Sequence, residues 1–433
     1  MRVLMFGWEF PPFITGGLGT ACYGLSHELS KLVDRIVFVV PGALSETQVG
    51  KLTLKGSQAL QASRKHINTV CSYLENFEKV IIDSPLRPYL TATAYEAWLK
   101  GSHESTLSFS QGHGPEFFSI VEGHTVHGHY GKNLFEEVTR FALLASSLVE
   151  AQGFDLIHAH DWMTFPAAVA AKKASGLPLV VHVHALEFDR SGENIDKRLY
   201  EIELHGMQEA DLVVTVSNRT REMIIHRYGI SPTKVRVLHN GVLALHPGTP
   251  VRRPKILEEK IVVFLGRITM QKGPEYFIDA AELVCRHMQN VRFVMAGEGD
   301  MLPRMILRMA EKRLNLKFHF TGFISENLRS QLLSIADLFV MTSVSEPFGL
   351  TPIEAAQHDV PVIIPHQSGV AEVMNHALKI DFWDTERIAS AIIQVLSSPS
   401  LAHQMVEASR SEVQATSWKN AAKKLTRYYE EVV

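Results

Sequence analysis

The amino-acid sequence predicts an α/β protein with two doubly wound domains, each built on a parallel sheet. Short apolar runs alternate with segments whose apolar residues recur at helical spacing, which is typical of parallel sheets covered by helices on both faces. The second half of the chain repeats this alternation. A proline-rich stretch between the halves has the composition of a surface linker. We therefore predict domains at residues 1–245 and 259–415, a linker at 246–258 and a terminal helix at 416–433.

Length and composition exclude several classes of protein. The chain has 433 residues, enough for two or three domains with their own cores. Its 43 basic and 46 acidic residues give a formal net charge of −3, which argues against nucleic acid as a partner, because phosphate binding requires a basic surface. The three cysteines form no CxxC pair, so we expect neither disulfides nor a cysteine-based zinc site. For the same reason we expect the protein in the cytoplasm. Because no run approaches about 20 apolar residues, stable membrane insertion is not expected.

The predicted elements follow in order along the chain. The first half has predicted helices at 21–32, 134–152 and 162–175, and strands at 2–6, 36–40, 80–82, 156–158, 179–183, 212–216 and 235–238. The second half has predicted helices at 274–287, 301–314, 326–336, 352–358 and 385–397, and strands at 261–265, 291–296, 317–321, 338–342 and 360–364. The stretch 84–132 has no clear periodicity, and long irregular segments of that kind are usually functional or flexible.

A glycine-rich loop, residues 16–19, lies between the first strand and the first helix. Glycines allow backbone N–H groups to approach a ligand at a helix N-terminus, where the helix dipole favours an anion. The spacing is not that of a dinucleotide-binding fingerprint. The loop therefore predicts either a phosphate contact at Gly17 or a simple tight turn.

Polar residues follow two later strands of the first half. Asp161 comes after the strand near 156–158, where it could accept hydrogen bonds from sugar hydroxyls or N-cap the next helix. His158 and His160 share one face of that strand, but no third metal ligand is evident nearby, so we expect no metal site. His184 lies at the tip of the following strand, where the sequence alone favours a structural histidine.

Two cations lie beside a predicted helix start in the second half. Arg267 follows the strand at 261–265, and Lys272 precedes the helix that begins near Pro274. Two fixed cations beside a helix N-terminus can hold a pyrophosphate and neutralise a departing nucleoside diphosphate. The alternative is a pair of solvated surface cations. The turn glycines and the position at a strand end favour the functional interpretation.

Two carboxylates surround another predicted helix start. Glu346 precedes the helix and Glu354 lies in its first turns, while Thr351 suits the N-cap and Pro352 the first helical position. The two carboxylates could hold different parts of one ligand. Gly297 lies in a further strand-end glycine loop, which is a weak signal by itself. Because the sequence has no Asp-x-Asp motif, metal-carboxylate binding of a sugar nucleotide is not expected.

These motifs resemble those of the retaining glycosyltransferases with two Rossmann-like domains, the GT-B architecture, and in particular the glycogen and starch synthase branch. The resemblance covers nearly the whole chain and is carried by residues 8–12, 16–19, 158–162, 182–190, 217–218, 240–242, 266–273 and 346–354. Two features depart from the bacterial ADP-glucose enzymes. Ile14 stands where they carry lysine, and Glu354 is present where they commonly lack the second glutamate. The donor nucleotide, UDP or ADP, therefore stays open.

The resemblance implies a role for each candidate residue. It implies that Arg267 and Lys272 contact the pyrophosphate, that Glu354 binds the ribose, and that Glu346 lies near the transferred sugar. It implies further donor contacts, several through backbone N–H groups, at Gly297, Phe348, Gly349, Leu350 and Thr351. In the first domain it implies that Gly17 contacts the phosphate and that Asp161 contacts the sugar. It also implies that His184 lies near the anomeric carbon and that Glu9 contacts the acceptor. It also implies a central cleft and a terminal helix that crosses back to the first domain.

The resemblance implies a metal-independent transferase that moves glucose from UDP-glucose or ADP-glucose to the non-reducing end of an α-1,4-glucan. One alternative is a retaining hexosyltransferase with another acceptor, namely a small sugar, a sugar phosphate or a cell-surface glycan. A sugar-nucleotide epimerase of the same architecture is another. The expected partners are the nucleotide sugar, as substrate rather than cofactor, and a carbohydrate acceptor. The sequence leaves the oligomeric state open.

Overall fold

The computed structural model describes residues 1–10, 16–42, 77–83, 134–135, 138, 141–142, 153–245, 249–255 and 258–433. The chain divides into two compact units. The first unit comprises Met1–Val183, Arg198–Val214 and Leu425–Val433, and the second comprises His184–Lys197 and Thr215–Lys424. The predicted stretch 84–132 and most of the predicted helix at 134–152 lie outside the described residues.

Within the described residues, the first sheet has seven strands in the order β3-β2-β1-β4-β5-β6-β7. These strands are β1 (Arg2–Phe6), β2 (Arg35–Gly42), β3 (Phe77–Asp83), β4 (Leu156–His160), β5 (Leu179–Val183), β6 (Leu212–Thr215) and β7 (Val235–Val237). Strand β1 runs parallel to both of its neighbours, β2 and β4. The described helices of this half are α1 (Gly17–Leu29), α2 (Phe165–Ser175), α3 (Glu187–Ser191), α4 (Lys197–Glu209) and α5 (Asn218–Tyr228). Strands β2 and β3 therefore lie on one side of β1, and strands β4 to β7 lie on its other side, as in a doubly wound sheet.

The second sheet has six strands in the order β10-β9-β8-β11-β12-β13, and all five pairs are parallel. The strands are β8 (Lys260–Leu265), β9 (Val291–Ala296), β10 (Phe318–Gly322), β11 (Leu338–Val340), β12 (Val362–Ile364) and β13 (Leu378–Lys379). The helices are α6 (Pro274–His287), α7 (Leu302–Glu311), α8 (Glu326–Ile335), α9 (Thr351–Gln357), α10 (Thr385–Ser397), α11 (Pro399–Ala415) and α12 (Trp418–Glu430).

The core of the second sheet explains why its helices form where they do. Helix α6 buries Phe277, Ile278, Ala281 and Val284, whose spacing places them on one face. That face packs against β8 and β9, where the ring of Phe293 meets Phe277 edge to face, with 5.7 Å between centroids. Pro274 begins the helix, in its first turn, where the backbone N–H groups have no partner within the helix. The helix start is therefore fixed beside the carboxyl end of β8.

The α/β fold with two parallel sheets is confirmed, and most predicted elements lie within a few residues of the observed ones. Helices α6 and α10 have the predicted bounds. Helices α3, α4, α5 and α11 and strand β13 were not predicted, because their sequences are short or strongly polar and lack a broad apolar stripe. The prediction that Thr351 caps its helix is wrong. Thr351 is the first helical residue, and Leu350 precedes it without a side-chain capping bond.

The last residues of helix α12 are buried in the first unit. Leu425 and Tyr429 are both fully inaccessible to solvent. The Tyr429 hydroxyl lies 2.5 Å from Nδ1 of His158 on β4, and the two groups share a hydrogen bond. Burial raises the pKa of Tyr429 well above its usual value, so the phenol keeps its proton. Among the described helices, none is long and apolar enough to cross a membrane.

The bond between Tyr429 and His158 gives a prediction about stability. Tyr429→Phe removes one partner and leaves a buried imidazole nitrogen without this bond, so we expect a loss of about 1–3 kcal/mol in the free energy of unfolding. The control is Tyr428→Phe, the same change at the half-buried neighbour on the same helix, which should cost less than half as much. Urea titrations monitored by circular dichroism measure both values. Equal losses for the two variants would contradict the prediction.

Candidate functional site

Lys272 and Glu346 form an ion pair in the second unit. Lys272 ends a short 3₁₀ turn (Met270–Lys272) after β8, and Glu346 follows β11, the neighbouring strand. Their charged groups lie 2.6 Å apart, and the side chain of Glu346 is 8% exposed. The hydroxyl of Ser343 donates a second hydrogen bond, of 3.0 Å, to the same carboxylate oxygen. Parallel strands place their carboxyl ends at one edge of the sheet, which is why residues 74 positions apart meet here.

Gly349 allows the chain to pass close to Glu346. Its φ of +100° lies in the region that favours glycine, and a Cβ at this position would lie 3.1 Å from Cγ of Glu346. The side chain of Phe348 is buried in the core of the second sheet and therefore faces away from solvent. The carbonyl oxygen of Phe348 accepts a hydrogen bond from the N–H of Val370. These contacts fix the turn from Glu346 into helix α9.

Two further backbone segments meet beside Lys272. Gly297 has a φ of +140°, and a Cβ there would collide with the carbonyl of Gly266, so the loops after β8 and β9 touch through their backbones. Arg267 lies in the first of these loops and donates a hydrogen bond of 3.3 Å to the buried Gln271. Arg267 and Lys272 therefore share one loop before helix α6. The N-terminal end of that helix carries partial positive charge.

Glu354 lies on α9 in a different electrostatic environment. Burial raises the pKa of its carboxyl group, and the positive charge of Arg329 opposes that shift. The Nε atom of Arg329 lies 3.4 Å from the carboxylate, whose side chain is 15% exposed. His184, at the end of β5, also has a perturbed pKa, because burial lowers it to about 3. The imidazole of His184 is therefore neutral near pH 7, and its ring nitrogens can act in hydrogen bonds rather than as a charge.

The candidate residues of the first unit lie around the ends of β1 and β4. Cys22 on α1 has a strongly raised pKa because it is buried and because the charges of Asp161 and Glu9 oppose ionisation, which places these three side chains near one another. Asp161 has a φ of +60° and does not cap helix α2, which begins at Phe165. The alternative that Asp161 is an N-cap is therefore wrong. Gly17 begins α1, and among the described residues no atom lies within 4 Å of a Cβ built there.

Three buried histidines lie side by side on β4 and β5. One ring nitrogen from each of His158, His160 and His182 lies within 4.8 Å of the others, so the argument that no third ligand lies nearby is wrong. Strand register explains this, because His160 and His182 are directly paired. The rings of His158 and His160 stack 4.4 Å apart at 29°.

Residues 250–412 match the family model described as "Glycosyl transferases group 1", and residues 89–243 match "Glycosyltransferase Family 4". An uncharacterized glycosyltransferase of Methanocaldococcus jannaschii is 30% identical over 99% of this chain and 98% of its own length. This chain belongs to the group 1 glycosyltransferases. A glycogen synthase of Mycobacterium tuberculosis is 24% identical over 99% of the chain and 94% of its own length.

The fold of this glycosyltransferase is similar to a solved structure of the same architecture. HepE of Anabaena, in complex with UDP and glucose, superposes with a TM-score of 0.69 at 15% identity, and the match covers all of both chains. The two parallel sheets with flanking helices and this likeness identify the GT-B fold. The expected roles of the individual site residues stay predictions.

Sequence reasoning missed several polar residues that hold the described site of this glycosyltransferase in shape. The Glu372 carboxylate accepts hydrogen bonds from the backbone N–H groups of Asn218 and Arg219 at the start of α5, and it lies 2.8 Å from Nε2 of His239. Desolvation raises the pKa of Glu372, but these hydrogen bonds outweigh it and lower the pKa to about 2. No local pattern in the sequence indicated these contacts, because 154 positions separate Asn218 from Glu372.

The depressed pKa of Glu372 gives a prediction about pH. A carboxylate with a folded-state pKa below its unfolded value stabilises the fold above the unfolded pKa, and this contribution disappears as pH falls towards the folded pKa. We expect Glu372→Gln to lower the free energy of unfolding by about 2–3 kcal/mol at pH 7, since each unit by which the pKa falls from 4.5 to about 2 corresponds to about 1.4 kcal/mol and solvent screens part of the interaction.

The measurement is a series of urea titrations between pH 7 and pH 3.5. The difference between wild type and Glu372→Gln should stay constant down to about pH 4.5 and shrink below it. Glu222→Gln makes the same change at an exposed position on α5, and its cost should stay below about 0.5 kcal/mol at every pH. A difference that grows as pH falls would contradict the prediction.

Proposed function

We propose that this chain is a retaining glycosyltransferase that moves glucose from UDP-glucose or ADP-glucose to the non-reducing end of an α-1,4-glucan, without a metal ion. The observation that carries the proposal is the ion pair of Lys272 and Glu346 beside the start of α6. Arg267 in the same loop adds a second positive charge. A cation pair at a helix N-terminus suits a diphosphate leaving group.

The proposed reaction breaks the bond between the anomeric carbon of glucose and a phosphate oxygen of the donor. A new bond forms between that carbon and the acceptor hydroxyl oxygen on the same face, and the hydroxyl proton passes to the leaving phosphate. Negative charge grows on the diphosphate during this step, so the main demand is stabilisation of that charge rather than a strong base. Lys272 and Arg267 would supply the positive charge. Glu346 holds the Lys272 ammonium in place through their 2.6 Å contact.

Full-length similarity to the glycogen synthase of Mycobacterium tuberculosis supports the glucan acceptor. The likeness to HepE, solved with UDP and glucose, supports a glucose donor carried by UDP. Glu354, on α9 with Arg329 3.4 Å away, is the carboxylate that would bind the ribose hydroxyls. Transfer to a small sugar, a sugar phosphate or a cell-surface glycan would use the same donor contacts, so acceptor identity has to be tested directly.

The charge arrangement predicts the effect of two substitutions. We expect Glu346→Gln and Lys272→Ala each to lower kcat by at least about 100-fold, the size of effect that follows removal of one group that stabilises transition-state charge. Both proteins should remain folded at 25 °C by circular dichroism.

Lys255→Ala is a matched control. Lys255 pairs with Asp337, which precedes β11 and so lies at the opposite end of that strand, and the two ion pairs are similarly buried. We expect Lys255→Ala to keep kcat within about threefold of wild type, the modest effect of an ion pair away from the chemistry. Near-wild-type turnover in Glu346→Gln or Lys272→Ala would overturn the assignment of the site.

The donor and acceptor are tested by nucleotide release from UDP-glucose and ADP-glucose, each with and without glycogen or maltoheptaose. We expect release that depends on the glucan, with lengthened products that an α-1,4-specific amylase degrades. Release that depends only on a small sugar, a sugar phosphate or a cell-surface glycan would replace the glucan by that acceptor. Conversion of the donor sugar without acceptor-dependent release would favour an epimerase instead.

A further inference from the structure

A polar network joins the segment that follows His184 to the loop that carries Glu346. Asp189 lies on the short helix α3, and its side chain is fully buried. Its Oδ1 atom accepts hydrogen bonds of 2.6 Å from the Ser345 hydroxyl and 3.3 Å from the Arg219 guanidinium. Arg219 donates a further bond, of 3.0 Å, to the Ser345 oxygen. The three side chains thus form a closed triangle of hydrogen bonds.

The second oxygen of Asp189 acts on its own segment. It accepts a hydrogen bond of 3.0 Å from the N–H of Leu186, the residue that precedes helix α3. One carboxylate therefore fixes both the turn that follows His184 and the position of Ser345. Helix α3 also packs against the 3₁₀ turn that ends at Lys272. The segments that carry His184, Lys272 and Glu346 consequently meet around Asp189.

The opposite side of Arg219 is fixed as well. Its backbone N–H donates to the Glu372 carboxylate, which holds the first turn of α5. The bond to Glu372 fixes the start of α5, and the guanidinium of Arg219 extends from that fixed position to Asp189. Removing a cation from a buried carboxylate leaves an uncompensated charge, which strongly favours keeping the two groups together.

We propose that Asp189 is a positioning residue that holds the loop of Glu346 in its working place through Ser345, with Arg219 balancing its charge. This inference rests on the proposed function, because the group to be positioned is Glu346. Asp189 contacts neither Lys272 nor Arg267 through a described hydrogen bond, so its effect reaches the reaction through the loop. A displacement of a reacting group by about 1 Å can lower a rate by about 100-fold.

The experiment compares Asp189→Asn, Ser345→Ala and Ser345→Thr by steady-state kinetics with the active donor, and by calorimetric titration with UDP. Asp189→Asn and Ser345→Ala should each lower kcat by about 10- to 100-fold while the Kd for UDP stays within about threefold. Ser345→Thr keeps the hydroxyl at a position that is only partly buried, so kcat should stay within about threefold of wild type. The double variant Asp189→Asn with Ser345→Ala should lower kcat no further than the more impaired of the two single variants, because Asp189 and Ser345 act through the same hydrogen bond.

Hydrogen exchange gives a readout that does not depend on activity. Asp189→Asn should raise exchange in the peptide that covers residues 343–349, and Ser345→Ala should raise it in the peptide that covers 184–191. The control is Glu193→Gln, which removes the same charge from an exposed carboxylate paired with Arg227. It should leave kcat, the Kd for UDP and both peptides unchanged.

The outcomes separate the two proposals. Wild-type kcat in both Asp189→Asn and Ser345→Ala overturns the positioning role, as does a UDP affinity that weakens in parallel with kcat. If wild-type protein transfers glucose from neither donor, the proposed function fails. In that case unchanged exchange in residues 343–349 of Asp189→Asn would still overturn the role of Asp189, and raised exchange would support it. Should Asp189→Asn fail to fold, the comparison of Ser345→Ala with Ser345→Thr decides the matter by the same criteria.

Discussion

The contact between Lys272 and Glu346 is the interaction on which the described part of the candidate site depends. Burying a carboxylate costs several kcal/mol, and this cost is offset only when a counter-charge and further hydrogen bonds are in place. Lys272 supplies the charge and Ser343 supplies a hydrogen bond. The adjacency of β8 and β11 brings both partners to one edge of the sheet. The fold therefore gives the buried carboxylate of Glu346 both a counter-charge and a hydrogen-bond donor.

The loop before Glu346 is held from several directions, which fixes its shape. The backbone N–H of Val344 donates to the carbonyl of Gln271, in the same turn as Lys272. The Ser345 hydroxyl reaches Asp189, and the carbonyl of Glu346 accepts from the N–H of Gly369. Each bond is worth only about 1 kcal/mol, but together they leave the loop few alternatives. Such preorganisation matters most in transfer reactions, because charge develops faster than a protein can rearrange.

The sequence predicted the fold and the strand-end residues because both follow from local patterns. Positions after apolar runs singled out Arg267 and Lys272, and a predicted helix start singled out Glu346. The parallel topology brings Lys272 and Glu346 together. Asp189 and Ser345 could not be paired in this way, since 156 residues separate them in the sequence. The third histidine was missed for a related reason. Alternation within one strand does not reveal the register between strands, and that register pairs His160 with His182.

Charge balance links these observations to the proposed chemistry. Five described carboxylates around these loops have a basic partner, in the pairs Glu346 with Lys272, Asp189 with Arg219, Glu187 with Arg190, Glu354 with Arg329 and Glu372 with His239. A diphosphate that approaches Lys272 therefore competes with Glu346 for the same ammonium group. In the proposed reaction, a carboxylate near the anomeric carbon would stabilise the positive charge that develops there, so Glu346 would serve both the shape of the loop and the transfer step.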